Sequence, residues 1–459
     1  MVMKLPPPFK LRMAEFLGPE LEKFIDSLSS ESPVSIRVNK NKYPFDIAYK
    51  PIPWTTTGYY LPERPSFTAD PLLHGGAYYV QEASSMFVEQ AVRQVFSERS
   101  GFNVLDLCAA PGGKSTHLAA LFDEDSLIVS NEVIKSRVTI LSENIQKWGT
   151  GNVVVTNNDP KDFKDIKGFF DCIVVDAPCS GEGMFRKNES AIDEWSEDNV
   201  QLCAQRQRRI LADIWSSLKP GGVLIYSTCT YSPNENEENL AWLCENYEAE
   251  NLTIKLDDNW RIKESTHSGF TGYRFYPHET QGEGFFLAIV RKKGELGKEF
   301  KYPKKKGKSL FVPMDAKAIA PFSGLLLMPE KWKYFLKNDM VSLFPAIKSK
   351  EVEYLIDALN VIYAGVEVGQ LTKKEFRPEH ALALFGELNK NYFSVIEVNK
   401  ETALKFLRKD DQVFEKAIEG WSLLTYNGIG LGWVKKVGNR FNNYYPKEWR
   451  IRLSLDKMI

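Results

Sequence analysis

Residues 104–116 read VLDLCAAPGGKST: an apolar run, then small residues and a glycine pair, then the polar opening of a helix. In an open parallel sheet, ligands bind outside the carboxyl ends of the strands, near the point where strand order reverses. Small residues let the backbone approach a ligand closely, and the amides at the start of the next helix are free to donate. Two other loop patterns fail here. A P-loop would need glycine at position 108, which is Cys, and G-x-G-x-x-G is absent.

The same alternation continues on either side. Short apolar runs at 102–107, 127–131, 152–156, 171–176 and 222–227 predict strands, and amphipathic stretches such as 132–148 and 199–218 predict helices between them. Strands separated by helices imply an α/β fold with a parallel sheet covered on both faces. A helix near 235–247 follows, then strands at 270–277 and 284–292. The Gly-containing turn at 281–284 predicts that they close the sheet as an antiparallel hairpin. This central domain spans 72–293.

The flanks differ in pattern. In residues 1–71, three- and four-residue spacing predicts one helix from Phe9 to Leu28, ahead of an extended, proline-rich segment from Pro33 to Pro71. Residues 294–308 form a linker within a basic run, 291–308, that holds nine Lys/Arg against two Glu. Such a run is either a solvated connector or a strip for nucleic-acid phosphates. Residues 309–390 form a connecting region with helical periodicity from 330 onward, and 391–459 end in β-rich, glycine-punctuated sequence.

Bulk properties narrow the function classes. Across 459 residues, 59 Lys+Arg balance 60 Asp+Glu, so nucleic-acid binding, if any, must come from local patches. The six cysteines fall at 108, 172, 179, 203, 229 and 244, all in the central domain and without a CxxC pair. That excludes zinc knuckles and thioredoxin-like sites, predicts no metal, and fits a reducing compartment. Three prolines at 6–8 interrupt any signal-peptide core, and no apolar run approaches the roughly 18 residues of a membrane span. The expectation is a soluble, cytoplasmic protein with no membrane partner.

Chemistry-bearing residues collect at the predicted strand ends. Glu132 closes LIVSNE, about where an acid would meet a ribose diol, and Asp159 closes NVVVTNND, where it could accept from an adenine amino group. Alone, either acid reads as a helix cap; placed after successive strands beside the glycine loop, together they argue for an adenosyl ligand. The fourth strand runs into Asp176-Ala177-Pro178-Cys179-Ser180-Gly181 and the fifth into Tyr226-Ser227-Thr228-Cys229-Thr230. Cys172, Cys203 and Cys244, within a strand or helices, read as inert packing residues. Cys179 and Cys229, just beyond strands and beside Pro, Gly and hydroxyl residues, do not.

In that order and spacing, LDLCAAPGGK, DAPCSG and YSTCT resemble the RNA cytosine-5 methyltransferases of the Sun/Fmu/RsmF type. LPPPFKLRMAEFLGPE, SIRVN and GAYYVQEASSM are similar as well, and GLGWVKK and NNYYPKEWR resemble the PUA-like domain of the bacterial RsmF branch, which modifies small-subunit ribosomal RNA. The resemblance implies a class I (Rossmann-like) methyltransferase domain with a mostly parallel seven-stranded sheet. A small N-terminal α+β extension of RNA-binding type and a C-terminal PUA-like domain would flank it. It implies S-adenosylmethionine as cofactor, lined by Cys108, Ala109, Ala110, Pro111, Gly112, Gly113, Lys114, Glu132, Asp159 and Asp176. Cys229 would attack cytosine C6, because C5 is a poor nucleophile until the ring becomes enamine-like. Lys114 or helix amides would lower the thiol pKa, Asp176 would hold the cytosine N3/N4 edge, and Cys179 would assist release. DNA cytosine-5 enzymes use the cysteine in the place of Cys179; under that scheme YSTCT would have no purpose, so Cys229 is preferred.

The expected partner is 16S ribosomal RNA or the small subunit, met by a monomer. A transfer RNA substrate, methylation of an exocyclic amine or a protein, and a non-catalytic ribosome-assembly role are the competing readings. Amine enzymes typically carry Asn/Asp-Pro-Pro-aromatic where this chain has DAPC, and a non-catalytic relative should have lost a cysteine or the glycine loop. For base flipping, Phe185, Arg186, Lys187, Trp195, Arg206, Arg208 and Arg209 are RNA-contact residues or ordinary packing and solvated ones. At the C-terminus, Lys435, Lys436, Arg440, Lys447, Arg450 and Arg452 interleave with Trp433, Phe441, Tyr444, Tyr445 and Trp449. That mixture is either a core with a solubilising face or a stacking and phosphate-binding surface.

Overall fold

The strand that feeds the glycine loop, Asn103–Asp106, lies between Leu127–Asn131 and Phe170–Asp176, parallel to both. Val153–Thr156 extends the parallel set beyond Leu127–Asn131, and Leu218–Thr228 extends it beyond Phe170–Asp176. The first three of these segments in sequence are buried along their whole length, as their unbroken apolar runs require when helices cover both faces. The computed structural model describes residues 4–458 except 44–46, 268, 295–299, 301, 303–310, 374 and 415–417. Most of the predicted basic linker therefore lies outside the described residues.

Helix ends follow local chemistry. Lys135–Trp148 stops at Gly149, whose φ of 77° is the left-handed conformation that glycine adopts freely. Glu197–Trp215 starts at Ser196, which accepts from the Asn199 amide, and carries Glu197 and Asp198 in its first turn. The C-terminal hairpin forms as expected: Phe270–Phe275 and Phe285–Lys292 pair antiparallel, and the latter joins Leu218–Thr228.

The sheet is wider than the expected seven strands. Ten strands belong to it among the described residues, with the five parallel ones at its core. One addition comes from far along the chain: Val361–Ala364 pairs antiparallel with Val153–Thr156 and covers that edge. Its leading residue, Asn360, accepts from the Asn157 amide and donates its own amide to Asn158 Oδ1, both at 3.0 Å.

Three expectations for the flanks are corrected. The single helix Phe9–Leu28 is two helices, Pro7–Leu17 and Leu21–Leu28, broken at Gly18-Pro19, where Gly18 has φ 50° and Pro19 has no amide to donate. The N-terminal unit does not end at 71, because Tyr78–Val80 pairs with Val34–Val38 in a four-stranded antiparallel sheet. The helical periodicity read at 330–390 is mostly β-structure: Trp332–Lys337 and Met340–Pro345 form a hairpin across Asn338-Asp339, with Asn338 at φ 54°, and Val366–Leu371 and Phe376–Pro378 follow. Among the described residues, α-helix is confined there to Ser349–Ala358 and His380–Leu384. Strands buried unevenly on their two faces, separated by two-residue turns, mimic a three-to-four spacing.

The last four-stranded sheet, Ser394–Glu397, Gly420–Tyr426, Ile429–Val437 and Arg440–Asn443, is not a separate body. Leu423 and Trp433 share a core with Trp332, Leu343 and Phe385 of the preceding region, and Phe335, Phe344 and Leu355 join the core beneath the central sheet. At the other end Arg37, fully buried, ties the N-terminal sheet to the helix after the glycine loop, donating to Gln81 Oε1 and Thr116 Oγ1 and stacking on Trp148. Among the described residues, no helix is long and apolar enough to cross a membrane.

Candidate active site

Phe170–Asp176 and Leu218–Thr228 leave the sheet side by side, with Asp176 opposite Ser227, so the two cysteine turns emerge together. The Sγ atoms of Cys179 and Cys229 lie 3.2 Å apart, as free, partly exposed thiols. Further bonds stitch the turns to one another. Ser180 Oγ meets Thr230 Oγ1 at 3.0 Å, and the Gly183 amide donates to the Cys229 carbonyl at 2.8 Å.

The glycine loop joins the same edge through Lys114, whose ammonium lies 2.8 Å from Asp176 Oδ2, while Ser227 donates to Asp176 Oδ1 at 2.7 Å. Burial alone would push Lys114 toward neutrality, but Asp176 outweighs it and, with Asp106 and Cys229 adding, holds the amine above the ordinary lysine range. Cys179 is driven the other way. Its hydrogen bond with Cys229, then burial, then the charge fields of Cys229 and Glu235 raise its thiol well above the usual range.

The predicted cofactor residues surround this pair. Cys108 to Lys114 form the loop, with a cis bond at Ala110-Pro111, and Gly112 opens the helix Gly113–Leu121 at φ 116°. A side chain at Gly112 would be strained by that φ and would crowd Leu141 at 3.3 Å. Glu132, at the end of Leu127–Asn131, is buried, accepts from the Ile134 amide at 2.9 Å and faces Arg137 at 3.3 Å. Asp159, half-buried, caps the turn Pro160–Asp165 by accepting from the Lys161 amide.

Sequence reasoning missed a fourth acid. Asp106, the last residue of the central strand, is fully buried; Oδ2 accepts from Ser115 at 2.7 Å, and Oδ1 has no partner among the described residues. Burial pushes its carboxyl up to about 7 against the Ser115 bond. The signal was its position one turn before the glycine pair. Also missed were two buried glutamates behind the cysteines, Glu182 and Glu235, which look like ordinary surface acids in sequence. Glu182 accepts from Arg12, Trp195 Nε1 and the Tyr231 amide.

Carboxylates at successive strand ends, one with an unpartnered buried oxygen, around a loop that tolerates no side chain at Gly112, fit a ligand that combines ribose hydroxyls with a cationic sulfonium. A cavity of about 800 Å³ lies elsewhere, lined by Lys42, His117, Asp123, Trp332 and Phe385, and none of the thiols or the acids Asp106, Glu132, Asp159 and Asp176 lines it.

Several residues left open between RNA contact and packing are packing residues. Phe185 and Trp195 are buried against Phe9 of the N-terminal helix, so they pack the fold and do not stack on bases. Arg186 is buried in a pair with Glu283, which also lies 3.6 Å from Lys187. Arg208 donates to Asn239, leaving Arg206 and Arg209 exposed. At the C-terminus Trp433 and Tyr445 are core residues. Phe441, Tyr444 and Trp449 are half-buried, and Lys435 pairs with Glu375 while Lys436 lies over Phe441. The exposed cations are Arg440, Lys447, Arg450 and Arg452.

Comparison with known proteins agrees with this geometry. Residues 94–291 match the family model described as 16S rRNA methyltransferase RsmB/F, 5–83 match the N-terminal domain of 16S rRNA methyltransferase RsmF, and 393–451 match the methyltransferase RsmF PUA domain. The chain is 33% identical over 452 residues to ribosomal RNA small subunit methyltransferase F of Aeromonas salmonicida, covering 93% of both chains. It is 31% identical to that of Shewanella piezotolerans, again over 93% of each. Among solved structures, a methyltransferase homologue from Pyrococcus horikoshii is 28% identical, with a TM-score of 0.52 over 62% of this chain and all of the other.

Proposed function

Since this chain belongs to the ribosomal RNA small subunit methyltransferase F family and is an S-adenosylmethionine-dependent RNA methyltransferase, we propose that it methylates carbon 5 of a cytosine in 16S ribosomal RNA through a covalent Cys229 adduct. The observation that carries the mechanism is the 3.2 Å contact between the two thiols beside the Lys114–Asp176 pair.

In this mechanism the Cys229 thiolate attacks C6 of the flipped cytosine, and the displaced ring electrons make C5 nucleophilic. Asp176, steadied by Ser227 and Lys114, accepts from the N4 amino group, and the adjacent Lys114 ammonium offsets negative charge developing on the ring. The glycine loop, Glu132, Asp159 and Asp176 would hold S-adenosylmethionine, which would supply an electrophilic methyl group carried on a sulfonium. Cys179 then takes the C5 proton as the Cys229–C6 bond breaks and the aromatic ring re-forms.

The thiol pair explains the order of events. While Cys229 is free, its contact with Cys179 holds the Cys179 thiol well above its usual range and keeps it protonated. Once the Cys229 sulfur is bonded to C6, the leading cause of that shift is removed; the partly exposed Cys179 then gives its proton to solvent, and the resulting thiolate takes the C5 proton.

The exposed Arg440, Lys447, Arg450 and Arg452 serve as phosphate contacts in the PUA domain. On this reading the enzyme works in the cytoplasm and as a monomer, because one chain supplies both thiols and every cofactor acid. Incubation with 5-fluorocytosine-containing RNA, which blocks release, tests the assignment. The parent protein and Cys179→Ala form an adduct, and Cys229→Ser forms none; an adduct that depends on Cys179 and survives Cys229→Ser reverses the roles.

A further inference from the structure

We infer that Glu235 is a positioning residue that locks the two cysteine turns together and decides which thiol keeps the proton, an inference that rests on the nucleophile assignment above. Glu235 is fully buried just before the helix Glu237–Asn246. Its Oε1 accepts from the Ser180 amide at 2.8 Å and from Gln207 Nε2 at 3.1 Å; its Oε2 accepts from Ser180 Oγ at 2.5 Å and from Thr230 Oγ1 at 3.1 Å. Ser180 directly follows Cys179 and Thr230 directly follows Cys229. Gln207 also donates to the carbonyl of Pro178, the residue before Cys179, at 3.0 Å. One carboxylate therefore grips both turns at the residues that flank the sulfurs.

Structural need alone does not call for a charge here. The donors to Glu235 are hydroxyls, an amide N–H and a side-chain amide, and none of the ion pairs among the described residues includes it. A buried carboxylate with only neutral donors is costly: burial raises the Glu235 carboxyl above the ordinary glutamate range against the Ser180 and Gln207 bonds that favour its charge. A neutral amide of the same shape could bridge the same turns more cheaply. The charge has a use at the thiols. Glu235 faces Ser180, Thr230 and Gln207, with Glu182, Cys203, Cys179 and Tyr226 as titratable neighbours, Tyr226 donating to its backbone carbonyl. Negative charge on the Cys179 side disfavours a thiolate there. The Lys114 ammonium lies on the other side, where Cys229 contributes to its charge. The shared proton therefore rests on Cys179, and Cys229 is left as nucleophile.

The test uses the full-length protein with Glu235→Gln, which keeps the shape and removes the charge, and Thr230→Val, which removes one donor and leaves the glutamate. Three readouts separate positioning from general damage: kcat against KM, adduct formation with 5-fluorocytosine RNA, and iodoacetamide labelling of each thiol against pH by peptide mass. Loss of a hydrogen bond to a charged group predicts that Glu235→Gln lowers kcat and adduct rate about 10- to 100-fold, with KM for RNA and S-adenosylmethionine within about twofold. Labelling, confined to Cys229 near neutral pH in the parent, spreads to Cys179, and Thr230→Val moves each readout the same way by less. The inference is overturned if Glu235→Gln keeps kcat within about threefold, or if labelling stays on Cys229. Should Glu235→Gln not fold, unchanged kcat and labelling in Thr230→Val overturns it equally. Absence of any Cys229 adduct in the parent would instead refute the nucleophile assignment.

Discussion

The Lys114 ammonium meets the Asp176 carboxylate at 2.8 Å, joining the glycine loop to the turn that carries Cys179. On the mechanism proposed above, the pair ties cofactor binding to base binding, since Lys114 comes from the glycine loop and Asp176 contacts the base. Lys114→Met leaves Asp176 without its counter-charge and is expected to lower kcat/KM by about 10- to 100-fold. Steady-state kinetics with both substrates varied checks this, with KM for S-adenosylmethionine and kcat expected to move together.

The thiols differ in role, so their variants differ in kind. Cys229→Ser is expected to cut turnover by at least about 1,000-fold with no adduct on unmodified RNA. Cys179→Ala is expected to form the adduct and stall, so a band resistant to denaturation accumulates on ordinary RNA. Gel electrophoresis after a single turnover distinguishes them.

Sulfurs 3.2 Å apart are also within reach of oxidation. Treatment with hydrogen peroxide is expected to convert the two thiols to a Cys179–Cys229 disulfide with release of water and to abolish activity, and dithiothreitol is expected to restore it. Peptide mass showing the loss of two hydrogens across this pair checks the site, and Cys179→Ala should not form the bond.

Asp106 predicts a conflict between stability and function. Its carboxyl titrates near pH 4 in the unfolded chain and up at about 7 in the folded one. Between those values the unfolded state loses its proton first, so the stability this group contributes is present below about pH 4 and is lost as pH rises to 7. Asp106→Asn avoids that loss. Its melting temperature is expected to exceed the parent's by roughly 2–6 °C at pH 7.5 and to converge with it toward pH 4. Its Kd for S-adenosylmethionine is expected to weaken at least about tenfold, measured by calorimetry.

The C-terminal surface yields a salt experiment. Replacing Arg440, Lys447, Arg450 and Arg452 with Ala is expected to flatten the slope of log affinity against log salt by about 2 to 3, without changing melting. Trp433→Ala, by contrast, empties a core position and is expected to cost about 3–5 kcal/mol of stability.

Much of the site was legible because it obeys one rule: residues just past consecutive parallel strands share an edge. That rule brought Cys179, Cys229, Glu132 and Asp159 together from sequence alone. It could not reach Glu182 and Glu235, because whether a glutamate is buried depends on turns packing across each other, which no local pattern encodes. The same blindness left Phe185, Trp195 and Trp433 open between stacking and packing; they are core residues. At 330–390 the hairpin signal was present at Asn338-Asp339, but uneven burial of the strands imitated a helix.

The strand Val361–Ala364 closes an edge laid down roughly two hundred residues earlier, at Val153–Thr156. During synthesis that edge stays open, a template for any extended chain nearby, until the later segment leaves the ribosome. The catalytic half is therefore a poor candidate for use as a detached cassette. Cutting the chain after the hairpin would shorten the enzyme, expose a sticky flank and loosen the Asn157-Asn158 bend beside Asp159.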